Sequence, residues 1–147
     1  MKKLLLAGIL LSPSLVAAAG PQHFVLEATF VAAPKPGANA GIAVTFRALN
    51  PDVQIDESPP PRLKLALDEK VLLDKQQPPP THIKPFDPET AKFLDLALPV
   101  VFPVAIASGA PKGEQPVKAS VTYFYCSKAE AWCRKGSTEV EVSVPVR

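Results

Sequence analysis

Cysteine, histidine and tryptophan are scarce in this chain of 147 residues, which has two, two and one of them, and its seven glycines are scattered singly. Isolated glycines leave no Gly-rich loop to cradle a phosphate, and no nucleophile elbow is present. His23 and His82 lie far apart, and six residues separate Cys126 from Cys133, wider than the two to four of the usual zinc pair. No motif calls for a metal or a cofactor. Acidic residues occur at scattered positions and read as solvated faces or turns. The chain has no basic patch to match a nucleic acid or an anionic membrane surface.

Long apolar runs are also missing, except at the start. Lys2 and Lys3 precede an apolar stretch from Leu4 to Val16, and Ala17, Ala18 and Ala19 supply small residues before Gly20. This pattern predicts a signal peptide over residues 1–19, cleaved before Gly20. Ser12 and Pro13 leave the run short of the ~20 residues needed to span a bilayer, and no later segment could cross one. The sequence thus points to a periplasmic or secreted protein with one domain over residues 20–147. Basic and acidic side chains balance at 14 each in that domain, so the calculated pI of 8.6 reflects the leader. In an oxidising compartment two cysteines normally bridge.

Proline, in contrast, is plentiful at 18 residues, and the triplets Pro59-Pro60-Pro61 and Pro78-Pro79-Pro80 mark boundaries. Between boundaries the hydrophobic pattern has period two. His23 to Val31 is rich in aromatic and β-branched residues. Ile42, Val44, Phe46 and Ala48 alternate with Ala43, Thr45 and Arg47. Val53 and Ile55, then Leu63, Leu65 and Leu67, continue the pattern, and Val71-Leu72-Leu73 follows a turn. Phe102, Val104 and Ile106 share a face, with Pro99 and Pro103 indicating an edge strand or a bent pair. Two final strands place Val117, Ala119, Val121, Tyr123 and Tyr125 on one face, and Val140, Val142, Val144 and Val146 on another. About seven or eight short strands separated by turns predict an all-β antiparallel sandwich. One long loop, Asp74–Leu94, interrupts the pattern. Within it, Asp87-Pro88-Glu89 has the form of a helix start, and Ala91 to Leu94 would complete a short helix.

The remaining chemistry lies in Cys126 and Cys133, at opposite ends of the last hairpin connection. Facing positions on paired antiparallel strands lie ~4.5–5.5 Å apart, within disulfide range. The bridge would close eight residues, which the loop-entropy relation converts to about 2.5 kcal/mol. A domain of this size does not need that, so the pair is either an inert staple or a redox site. Lys128, Arg134 and Lys135 favour a thiolate, and Glu130 opposes them. Trp132 either shields the sulfur of Cys133 or presents an apolar docking surface, and Tyr125 is the second candidate for partner contact.

Taken in order, Val53-Gln54-Ile55-Asp56-Glu57-Ser58-Pro59-Pro60-Pro61-Arg62-Leu63-Lys64-Leu65, Phe102 to Ile106, Val121-Thr122-Tyr123-Phe124-Tyr125-Cys126 with Cys133, and Val140 to Val146 resemble the N-terminal periplasmic domain of the thiol:disulfide interchange protein DsbD. The resemblance implies an immunoglobulin-like sandwich in which Cys126 and Cys133 cycle between dithiol and disulfide. It implies mixed-disulfide formation at Cys133 and a cap over the pair from the Asp74–Leu94 loop, with Phe86 as its aromatic residue. The implied partner is a thioredoxin-fold protein or a DsbD-like membrane reductant. The chain departs from the family in its six-residue spacing, where five is usual, and in Arg134-Lys135-Gly136, which replaces an aromatic residue and prolines. The competing expectation is a non-enzymatic interaction module with a structural disulfide.

Overall fold

A computed structural model describes residues 22–33, 38–75 and 93–147. The expected signal peptide, the helix start at Asp87 and the cap residue Phe86 lie outside the described residues. Eight strands form: β1 (Phe24–Val31), β2 (Ala40–Ala48), β3 (Val53–Ile55), β4 (Arg62–Leu65), β5 (Leu72–Asp74), β6 (Val100–Ile106), β7 (Gly113–Ser127) and β8 (Trp132–Val146). Among the described residues there is no helix. Phe93 and Leu94, expected to end a helical stretch, are instead extended. Phe93 bridges Asp56, and the Leu94 amide donates to the Ile55 carbonyl at 3.0 Å.

The strands build two antiparallel sheets. One has the order β1-β2-β6-β5; in the other, β7 pairs with β8 along one side and with β3 and β4 along the other. β3 takes the stretch Tyr125–Ser127 and β4 takes Ala119–Thr122, so the two short strands share one flank of β7. The turn-forming Pro59-Pro60-Pro61 segment lies between them, and Pro61 is fully buried.

The core fills the space between the sheets, as period-two sequences require when one face of each strand is buried. Ile42, Val44 and Phe46 from β2, Phe102 and Val104 from β6, Val117 to Tyr123 from β7 and Val140 to Val146 from β8 all contribute alternate side chains to one cluster. The expected inward faces of β2, β7 and β8 are therefore present, except that Ala48 is exposed at the end of β2 and Ala43, on its opposite face, is buried. The expected run Leu63, Leu65 and Leu67 breaks at its last member, because Leu67 sits in the turn after β4 and is 96% exposed.

β6 differs from expectation more deeply. It is neither an edge strand nor a bent pair but lies between β2 and β5. Pro103 is tolerated because its nitrogen faces the flank where β5 ends. There the Lys75 amide donates to the Pro103 carbonyl at 3.4 Å, and the return bond cannot form without an N–H. The proline thus stops the β5 ladder at Asp74 without disturbing the pairing of Gly41 with Pro103 on the other side.

Candidate functional site

The site begins with local hairpin chemistry. Ser127 pairs with Trp132 and closes the four-residue connection Lys128–Ala131. The Ser127 side chain, buried beneath the turn, accepts the Glu130 amide at 3.2 Å. Ala131 takes the left-handed conformation, at φ 53°, which returns the chain into β8.

One residue before Ser127, Cys126 stands directly opposite Cys133, and the two form a disulfide with a Cα–Cα distance of 4.0 Å. The spacing is that of a pair whose backbone groups point away from each other. Strand parity fixes where the sulfurs go. Tyr123 and Tyr125 face the core, so their neighbours Phe124 and Cys126 face outward. Cys126 is half-buried and Cys133 is exposed. The disulfide therefore lies on the outer surface of the β7–β8 sheet, at its hairpin end.

Three rows on this outer surface are set by register. Gln54 of β3 lies beside Cys126 and Cys133. Asp56 lies beside Phe124 and Lys135, with Phe93 added on the far side of Asp56. The next row is Arg62, Thr122 and Ser137. Lys128 carries its ammonium 5.6 Å from the centre of the Phe93 ring. Gln54, Phe93 and Phe124 were not picked out from the sequence as site residues. For Phe124 a signal existed in its parity with Cys126; Gln54 and Phe93 arrive by long-range pairing that sequence spacing does not reveal.

The opposite, inner side of the same hairpin end is aromatic. Tyr125 meets Trp132 edge-to-face at 5.6 Å, and the His23 ring lies 5.4 Å from Tyr125 and 5.5 Å from Trp132. Tyr125 continues to Phe24 and Tyr123, at 5.7 and 5.8 Å, and Tyr123 meets Phe46 at 5.4 Å. The two candidate partner-contacting residues, Tyr125 and Trp132, are both half-buried in this stack, across the sheet from the sulfurs. Arg134 lies over the Trp132 ring, its guanidinium carbon 4.3 Å from the centroid, and the indole N–H donates to the Glu130 carboxylate. Nε2 of His23 is buried without a hydrogen-bond partner.

Chemically, the arrangement offers an exposed Cys133 and a half-buried Cys126, with Lys128, Lys135 and Asp56 on their face of the sheet, while Arg134 and Glu130 are engaged with Trp132. Among the described residues, no cluster of histidine, cysteine and carboxylate side chains could hold a metal. No helix among them is long and apolar enough to cross a membrane. The chain matches no protein-family model, no curated protein and no solved structure.

Proposed function

We propose that this protein is an exported thiol–disulfide exchange domain with an immunoglobulin-like sandwich, acting through Cys126 and Cys133 on thioredoxin-fold partners. The observation that carries the reading is the position of the disulfide. It joins two residues already zipped together within a fifteen-pair ladder, and it lies on the solvent side of the sheet. A bridge there adds little to the fold, whereas an exposed sulfur is open to attack.

In the exchange, a partner thiolate attacks Sγ of Cys133. A sulfur–sulfur bond forms between partner and Cys133, the Cys126–Cys133 bond breaks, and Cys126 leaves as a thiolate. Lys128 and Lys135, on the outer face with the sulfurs, lower the cost of that negative charge. A second partner thiolate then attacks the partner's own bridged sulfur and releases Cys133. The partner dithiol is oxidised to a disulfide, and this chain gains two electrons, with two protons from the partner's thiols. Each step is reversible, so the same site can deliver electrons.

The test is the reduction potential of the bridge, equilibrated against a thioredoxin-fold protein, with Cys126→Ser used to trap a mixed disulfide at Cys133. An exchange domain gives a trapped adduct and a potential above about −300 mV. A lower potential with no adduct would establish a structural staple. One feature favours that second reading: β8 offers fifteen residues of strand with no pairing on its outer side among the described residues, which suits an interaction module with an inert disulfide.

A further inference from the structure

The direction of each backbone group at the hairpin end follows from three independent observations. The Asp56 amide donates to the Phe124 carbonyl at 2.8 Å, and the Ala66 amide donates to the Lys118 carbonyl at 3.2 Å. Even-numbered residues of β7 therefore turn their N–H and C=O toward β3 and β4, and odd-numbered residues turn theirs toward β8. The 4.0 Å separation of Cys126 and Cys133 agrees. So do the strand prolines: Pro116 pairs with Ser143 and Pro145 with Glu114, both positions at which an N–H between β7 and β8 is not required.

It follows that Cys133, Lys135 and Ser137 direct their N–H and C=O groups to the open side of β8. Among the described residues no backbone hydrogen bond reaches them. Cys133 thus combines, in one exposed residue, a sulfur on the outer face and a backbone donor and acceptor on the sheet edge. Further along, the same edge is guarded by Glu139, Glu141 and Pro145, the devices by which exposed strands resist pairing. Between Cys133 and Ser137 the edge carries Arg134 and Lys135 but neither an acidic residue nor a proline, so every outward N–H there is present.

We propose that the outer edge of β8 at Cys133–Ser137 is the docking strand for a dithiol protein, which adds an extended segment there while its thiolate attacks Sγ of Cys133. This rests on the exchange reading above and specifies how the partner is held. A residue placed opposite Cys133 on an added antiparallel strand lies about 5.5 Å away, Cα to Cα, which is within disulfide reach. The backbone bonds hold the segment, and the cationic hairpin end attracts the incoming thiolate. Sulfurs and electrons balance as in the exchange: one sulfur–sulfur bond forms, one breaks, and Cys126 leaves as the thiolate.

The experiment has three arms with reduced thioredoxin as the protein probe and 2-mercaptoethanol as the small one. First, thioredoxin is mixed with the wild-type disulfide; survival of the Cys126–Cys133 bond would end the exchange reading, and this docking with it. Second, Cys133 in Cys126→Ser is activated as the thionitrobenzoate mixed disulfide, from which 2-mercaptoethanol and a thioredoxin lacking its resolving cysteine each displace thionitrobenzoate to form stable adducts, and amide hydrogen exchange of Cys133, Lys135 and Ser137 is measured. These amides should slow in the thioredoxin adduct and stay fast in the small-thiol adduct. Fast exchange in both would overturn edge docking while leaving thiol exchange intact. Third, Ser137→Pro deletes one edge N–H, as Pro145 already does further along, without touching the backbone ladder with β7. Reduction by thioredoxin should slow about three- to tenfold, the equivalent of one net hydrogen bond, with reduction by 2-mercaptoethanol unchanged. Equal rates before and after the substitution, or an equal loss with both thiols, would refute the proposal.

Discussion

Gly136 lies opposite Tyr123 in the β7–β8 ladder, and the tyrosine ring covers the space a side chain would fill. A Cβ at Gly136 would meet Cε2 of Tyr123 at 2.6 Å and Cζ at 2.7 Å. Ordinary carbon contacts are ~3.5–4.0 Å, so the ring would have to recede by about 1 Å. It has nowhere to go. Tyr123 is buried, its ring meets Phe24 edge-on at 5.7 Å and Phe46 at 5.4 Å, and its hydroxyl lies 3.2 Å from Oγ1 of Thr138. Forcing the ring aside costs about 1–3 kcal/mol as overpacking. Removing a flexible glycine from a strand returns about 0.5–1 kcal/mol. Gly136→Ala should therefore destabilise the protein by about 1–2 kcal/mol, read in urea as a midpoint lower by roughly 1 M at unchanged slope. In a Tyr123→Leu background the same substitution should cost nothing or stabilise, because the ring atoms it strikes are gone. A neutral or stabilising Gly136→Ala in the wild-type background would refute the reasoning.

Two further outcomes follow from the hairpin end. Replacing Cys126 and Cys133 together by serine should leave the sandwich folded and lower its stability by no more than about 2.5 kcal/mol, the loop-closure value; chemical denaturation checks this, and an unfolded variant would contradict it. Ala131→Gly should stabilise by about 0.5–1 kcal/mol, since alanine there holds φ at 53° and glycine does so without a steric penalty; thermal unfolding reads the change, and a loss of stability would be the wrong sign.

The sequence made the alternating faces of β2, β7 and β8 legible because each is written in consecutive residues. Val140 to Val146 and Val117 to Tyr125 needed only the period-two rule, and the disulfide pairing needed only the shortness of the hairpin. Even the outward direction of the sulfurs follows once Tyr125 is assigned to the core. What stayed hidden depends on partners remote in sequence. Pro103 marks an edge in isolation, but here it ends the ladder of one neighbour while β6 stays between two strands. Phe93 and Leu94 look helical next to Ala91, yet β3 recruits them as extended chain. Gly136 stands out in the sequence only as part of Arg134-Lys135-Gly136, and only cross-strand register reveals that it makes room for a ring. Phe86 lies outside the described residues, and the placement of Gln54 beside Cys126 comes from the β3–β7 register.

The stacking of Trp132 has an optical consequence. It is the chain's only indole, it adjoins Cys133 in β8, and it is wedged among Tyr125, His23 and the Arg134 guanidinium with its N–H held by Glu130. All tryptophan emission therefore originates one residue from the sulfur that would open. Opening the bridge removes a disulfide, a quencher of indole emission, from the residue next to this ring, so intensity should change with oxidation state while far-ultraviolet dichroism of the two sheets stays constant. The protein carries an intrinsic chromophoric gauge of its own thiol chemistry, readable continuously and without a label.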